Sequence, residues 1–194
     1  MDLMGQHYEA IVLGTSAGGF KALSAIVPEL PAHYSLPVIV VQHMREDSDG
    51  LMTQHLNSLS AVLVKEAEDK EPIQPGILYI APPGYHLLIE ENRSFSLSVD
   101  PKVNYTRPSI DVLFDSAADV YEDRVIGVIL TGANSDGSRG LGKIKERGGL
   151  AIAQDPASAE SDYMPGAAIN TTHIDHVLKL QEIGPFLRQF HVPK

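Results

Sequence analysis

Runs of nearly unbroken Val, Ile, Leu and Ala punctuate the chain, with EAIVLG at 9–14, PVIVVQ at 37–42, RVIGVILTG at 124–132 and LAIAQD at 150–155. Continuous apolar runs of this length suit strands covered on both faces, as in a parallel sheet. Between them lie stretches with a helical apolar period: GFKALSAIVPEL, GLMTQHLNSL, IDVLFDSAADVYE and SRGLGKIKERGG, the last ending in glycines, with QEIGPFLRQF as a short terminal helix. Residues 62–100 differ. There, short extended runs are separated by Pro, Gly and Asn turns, which predicts antiparallel strands extending one edge of the sheet. The expected fold is a three-layer, doubly wound α/β domain with a mostly parallel sheet and an antiparallel edge extension. With no repeat, linker or low-complexity tract, residues 1–194 read as one domain with its core at about 8–190.

In such sheets ligands bind beyond the carboxyl ends of the strands, where strand order reverses. Three strand ends carry the residue types of acyl chemistry: Ser16 after EAIVLG, His43 after PVIVVQ, and Asp136 a short loop beyond VIGVILTG. A serine hydroxyl is a weak nucleophile until a base takes its proton, and a carboxylate on the base's other nitrogen fixes the tautomer. GTSAG at 14–18 also matches G-x-S-x-G, the strand-to-helix elbow that lifts a serine above a sheet. The Ala17 N–H, just after the serine, is a candidate oxyanion donor. Two other readings of the elbow stay open, a helix cap by Ser16 and a phosphate loop. The dinucleotide fingerprint is the weakest match, since Ser16 occupies its middle glycine. Asp155, at the end of LAIAQD, rivals Asp136 for the acid.

Composition narrows the chemistry. The chain has no cysteine, which removes thiolate nucleophiles, disulfides and zinc–thiolate sites. His173 and His176 have metal-like spacing but no evident third ligand, so no metal and no organic cofactor are expected. A formal charge of −10 argues against nucleic acid as a partner. No apolar run approaches a membrane span, and the first residues, MDLMGQH, lack the basic start and apolar stretch of a secretion signal. A cytoplasmic protein without membrane insertion is expected.

Taken together, GTSAGG, VVQHM, VKEAED, PGILYIAP, RPSIDVLF, VILTGANSDG and AIAQDPAS…MPGAAI resemble, in the same order, the catalytic domain of the chemotaxis protein-glutamate methylesterase (CheB) family. The resemblance runs from about residue 8 to about residue 190. It implies a Ser–His–Asp hydrolase that removes methyl esters from chemoreceptor glutamates and deamidates certain receptor glutamines. The nucleophile falls on Ser16, the base on His43 and the orienting acid on Asp136, which decides between Asp136 and Asp155. The partner implied is the cytoplasmic part of a methylated chemoreceptor.

Several positions depart from the family pattern. LTGANSDG carries Ala133 where the family commonly has methionine and Asn134 where it has glycine. The Ala133 N–H is still a candidate oxyanion donor, because a main-chain donor does not depend on its side chain. REDSDG after His43 is more polar than the family's stretch, and MPGAAI lacks a common arginine. A helical receptor needs a groove beside the triad, and Tyr105, Arg107 and Ser109 in NYTRPSID are candidates for its wall. Typical members carry an N-terminal receiver domain, for which a first strand near Tyr8 leaves no room. A stand-alone esterase with a separate regulatory protein, or a fragment of a longer chain, is expected. An esterase or amidase with another substrate, and a non-catalytic binding module of the same fold, are the competing readings.

Overall fold

The computed structural model describes residues 7–48 and 50–192. The sequence reading of the first six residues, and Asp49 in the loop after His43, lie outside the described residues. Among the described residues the main sheet holds seven strands: β1 (Ala10–Thr15), β2 (Val38–Gln42), β3 (Leu63–Glu66), β4 (Ile77–Ile80), β7 (Val125–Ile129), β8 (Leu150–Gln154) and β9 (His176–Leu178). All pair in parallel, in the order β3-β4-β2-β1-β7-β8-β9. The apolar runs produce this arrangement directly. Every residue of β1, β2, β7 and β8 is buried, because helices cover both faces.

Side chains alternate across the sheet. Ile11, Leu13, Val38, Val40, Ile126 and Val128 point to one core, closed by α1 (Gly19–Ile26), α2 (Leu51–Leu59) and α6 (Leu180–Arg188). Val12, Ile39, Val41 and Ile129 point to the other, closed by α3 (Ile110–Tyr121), α4 (Ser138–Glu146) and α5 (Tyr163–Thr171). The chain moves outward from β1 through β2 and returns to its other side at β7. The reversal of strand order therefore lies at β1, and the carboxyl ends of β1, β2 and β7 meet there.

The expected three-layer parallel architecture and an antiparallel pair are both present, but the pair sits elsewhere. β5 (His86–Ile89) and β6 (Phe95–Ser98) form a separate two-stranded sheet packed with α3, not an edge of the main sheet. β3 and β4, which the sequence places among antiparallel strands, are parallel members of the main sheet. Among the described residues, no helix is long and apolar enough to cross a membrane.

Candidate active site

The register Thr15↔Gln42 between β1 and β2 makes Ser16 and His43 the next residues off two adjacent strands. Neighbouring strands lie about 5 Å apart, so the two residues are neighbours where the strands end. Close packing explains the glycines around Ser16. A Cβ on Gly14 would lie 2.3 Å from Cγ2 of Ile110, at the start of α3, and one on Gly19 would lie 1.9 Å from Oε1 of Gln42. Helix α1 is capped at Gly18 without any side-chain hydrogen bond, so Ser16 is not a helix cap. Its hydroxyl makes no hydrogen bond to a described group, His43 included. Catalytic hydrogen bonds are often this loose before substrate binds.

His43 is joined to Asp136. Its Nε2 lies 2.8 Å from Asp136 Oδ2, and the carboxylate is fully buried. Oδ2 also accepts the Ile110 N–H at 2.6 Å and the Thr106 hydroxyl at 3.3 Å. Oδ1 accepts Asn104 Nδ2 at 2.8 Å, the Ser109 hydroxyl at 2.8 Å and the Asp111 N–H at 3.2 Å. Burial alone would push the acid's pKa up, but hydrogen bonds from His43, Asn104, Ile110 and Ser109 outweigh it and lower the pKa to about 2. An ionised carboxylate only accepts, so Nε2 of His43 carries the proton and Nδ1 keeps the lone pair. Nδ1 is therefore the nitrogen available as a base, with Asn134 Nδ2 3.5 Å from it.

Two carboxylates are exchanged between helix N-termini. Asp136, which precedes α4, accepts the first N–H groups of α3, and Asp111 in the first turn of α3 accepts those of α4. The latter bonds come from Gly137 at 3.0 Å and Gly140 at 2.8 Å. The partial positive charge of each helix start favours the acid placed on it. Asn104 donates to both acids, at 2.9 Å to Asp111 and 2.8 Å to Asp136. It does so from a two-residue turn closed by Val103 and Thr106, with φ of 51° at Asn104 and 65° at Tyr105. Asparagine tolerates that region, whereas tyrosine rarely adopts it.

The candidate groove residues separate. Tyr105, 97% exposed at the turn's tip, and Arg107 line a cleft of about 440 Å³ with His43, Glu46 and Lys102. Arg107 braces its wall, donating from Nη1 to the carbonyls of Val99 at 2.8 Å and Asp100 at 3.1 Å, with Nη2 3.7 Å from Glu46. Ser109 is not part of that wall. It is fully buried and its hydroxyl is spent on Asp136, because the start of α3 tucks under the acid. A second cleft of about 450 Å³ opens on Ser16, lined by Phe20, Gln42, Met44 and Met52, and Met44 borders both. Asp155 lies apart from His43 and accepts the Ala157 N–H of its own turn. His86 is buried against Pro101 and Ser109, and His55 lies by Phe20.

Comparisons with known proteins extend over nearly the whole chain. The family model described as CheB methylesterase matches residues 11–187. The chain belongs to the CheB methylesterase family. A Leptospira interrogans protein named putative protein-glutamate methylesterase/protein-glutamine glutaminase is 55% identical over 178 residues, spanning 92% of each chain. Protein-glutamate methylesterase/protein-glutamine glutaminase 2 of Caulobacter vibrioides is 39% identical over 92% of this chain, but the match covers 53% of that protein. The crystal structure of the Thermotoga maritima CheB methylesterase catalytic domain superposes with a TM-score of 0.90 at 37% identity, covering 95% of this chain and 99% of that one.

Several residues that build this family member's site escape the sequence reading: Gln42, Asn104, Thr106, Asp111, Thr131 and Ser161. Gln42 ends a buried strand, and that position was itself a signal, because a buried amide must find partners. It donates from Nε2 to the carbonyls of Ser16 at 3.0 Å and His43 at 2.9 Å. The Thr131 hydroxyl holds the Ala17 carbonyl at 2.8 Å and accepts the Ser161 N–H at 2.9 Å. The loops after β1, β2 and β7 are thereby tied to one another.

Proposed function

We propose that this chain hydrolyses γ-methyl esters on glutamates in the cytoplasmic part of chemoreceptors, through a serine acyl-enzyme, and deamidates receptor glutamines by the same chemistry. The observation that carries the reading is the buried, multiply bonded Asp136 on Nε2 of His43, which leaves Nδ1 as the nitrogen able to accept a proton. Ser16 attacks the ester carbonyl while His43 takes its proton, and the ionised Asp136 stabilises the imidazolium that forms. The N–H groups of Ala17 and Ala133 donate to the oxyanion. Neither N–H has an acceptor among the described residues, and both residues are exposed at the strand ends. His43 then returns the proton to the leaving methanol. Water attacks the acyl-enzyme under the same base, and free glutamate is released. Residues 8–190 act as one catalytic domain, and every step uses side chains and main-chain groups of this chain.

The names of the relatives from Leptospira and Caulobacter support both the ester and the amide substrate. The deciding experiment is methanol release from a methylated chemoreceptor cytoplasmic fragment, with the unmethylated fragment as control. Methanol equal to the ester consumed is the expected result. No methanol, with a small activated ester still cleaved, would overturn the receptor as substrate while leaving the hydrolase.

Arg107 tests the groove. Its guanidinium holds the Val99 and Asp100 carbonyls in the wall, and the side chain is 21% exposed. Arg107→Ala is expected to raise KM for the receptor about 5-fold, the equivalent of about 1 kcal/mol. The kinetics on a small ester, which does not reach the wall, stay the same. Unchanged KM on the receptor would remove Arg107 from the groove.

A further inference from the structure

The two peptides that carry the proposed oxyanion donors share a feature. The Ser16–Ala17 peptide has its carbonyl oxygen on Gln42 Nε2 at 3.0 Å and on the Gly19 N–H at 2.9 Å. The Gly132–Ala133 peptide has its carbonyl oxygen on the Met164 N–H at 2.9 Å and on the Ser161 hydroxyl at 3.0 Å. Each carbonyl is thus held twice, once by the main chain and once by a side chain. A trans peptide is planar, with its C=O and N–H pointing in opposite directions. Pinning the carbonyls therefore aims the Ala17 and Ala133 N–H groups the other way, out of the interior.

The Gln42 side chain is costly to keep. It is 7% exposed, and its Oε1 is buried with no hydrogen-bond partner among the described residues. Its orientation is forced, since two carbonyl acceptors demand the NH2 group. A buried unpaired acceptor needs a reason, and the reason here is what the two N–H groups hold, the carbonyls of Ser16 and His43. Ser161 is tied independently of its hydroxyl, because its N–H bonds Thr131 Oγ1 and its carbonyl accepts the Gly132 N–H at 3.0 Å.

We infer that Gln42 and Ser161 are positioning residues that hold the two oxyanion-donating peptides from behind, one for each donor. The inference rests on the reading of Ala17 and Ala133 given above. A donor that is already aimed costs no reorganisation as charge develops on the carbonyl oxygen. Loss of the holding side chain leaves the donor present but no longer fixed, so the effect is smaller than deletion of a donor, which costs about 10²–10³ in kcat.

The test compares wild type, Gln42→Met and Ser161→Ala on p-nitrophenyl acetate and with phenylboronic acid, which forms a tetrahedral adduct on an active serine. Gln42→Met is expected to lower kcat about 10- to 50-fold, and Ser161→Ala about 3- to 10-fold, both below the donor-deletion range. In each, KM stays within about twofold, boronate affinity falls in parallel with kcat, and the pH midpoint of kcat/KM stays in place, because His43 keeps Asp136. A loss confined to KM, or a kcat loss with boronate affinity intact, would overturn the inference. Ser161→Ala keeps its backbone ties, so it decides the matter even if Gln42→Met fails to fold, and wild-type kcat and boronate affinity in that variant would also overturn the inference. These assays do not use receptor, so failure of the receptor assignment leaves them readable. Boronate binding undiminished by Ser16→Ala would instead show that the serine reading itself had failed.

Discussion

Replacing Ser16 with alanine is expected to reduce methanol release by about 10⁴-fold or more, as removal of the nucleophile of a triad does, and to leave the fold untouched. The stability half of this expectation is as informative as the kinetic half. The hydroxyl holds no described group, and helix α1 takes its cap at Gly18 without side-chain help. Its loss should therefore change stability by no more than ~0.5 kcal/mol. A serine acting as a helix cap would behave in the opposite way, losing about 1 kcal/mol, or about 2–4 °C of Tm in a chain of this size, with activity kept. Kinetics and thermal melting of the same variant thus separate nucleophile from cap. A variant that still releases methanol at the wild-type rate would remove Ser16 from the chemistry. An active-serine probe that labels wild type and not the variant gives the same answer without receptor.

The elements most legible in the sequence are those with one physical cause. β1, β2, β7 and β8 are buried on both faces, and continuous apolar runs have few other uses. The strand-end rule then finds Ser16, His43 and Asp136, because each lies at or just beyond the carboxyl end of one of those strands. Residues 62–100 are harder. β3 and β4 have four residues each, with Leu63 exposed, and short strands between turns look alike whether they pair in parallel or antiparallel. α5 and β9 gave no local signal, the first because Pro165 and Gly166 break its pattern, the second because it has three residues, none buried. The same distinction holds in the site. The serine, histidine and acid can be listed from strand ends. That Ser109 lies under Asp136, or that Asn104 bridges two carboxylates, depends on contacts to residues 27 and 32 positions away in sequence. Nothing in NYTRPSID distinguishes a serine facing a groove from one facing an acid.

Asp136→Asn is expected to cost about 10⁴ in kcat and to destabilise the protein. The reason lies in the donors around the carboxylate. Oδ2 takes N–H groups from His43 and Ile110, and Oδ1 takes them from Asn104 and Asp111. An amide must present its NH2 group to one of these pairs, where donor meets donor. If it faces His43, the ring must accept at Nε2 and carry its proton on Nδ1, so the base nitrogen is lost. If it faces Asn104 and Asp111, buried donors go unpaired, at about 1–3 kcal/mol. Acid titration gives an independent reading. The ordinary carboxyl value of 3.8 falls to about 2 in the folded protein, with burial opposed by hydrogen bonds from His43, Asn104, Ile110 and Ser109. A depressed folded pKa contributes stability that is fully present above the unfolded value and is lost as pH falls through the folded one. Asp136 accordingly contributes about 2 kcal/mol above pH ~4, which is lost between pH ~4 and ~2. Wild type should lose stability across that window more steeply than Asp136→Asn, as read by urea unfolding at each pH. The mass of the variant is checked before each run, since an amide beside Gly137 hydrolyses slowly back to the acid. Parallel stability curves for the two proteins would show that Asp136 is not the depressed acid, and full activity in the variant would show that His43 needs no carboxylate.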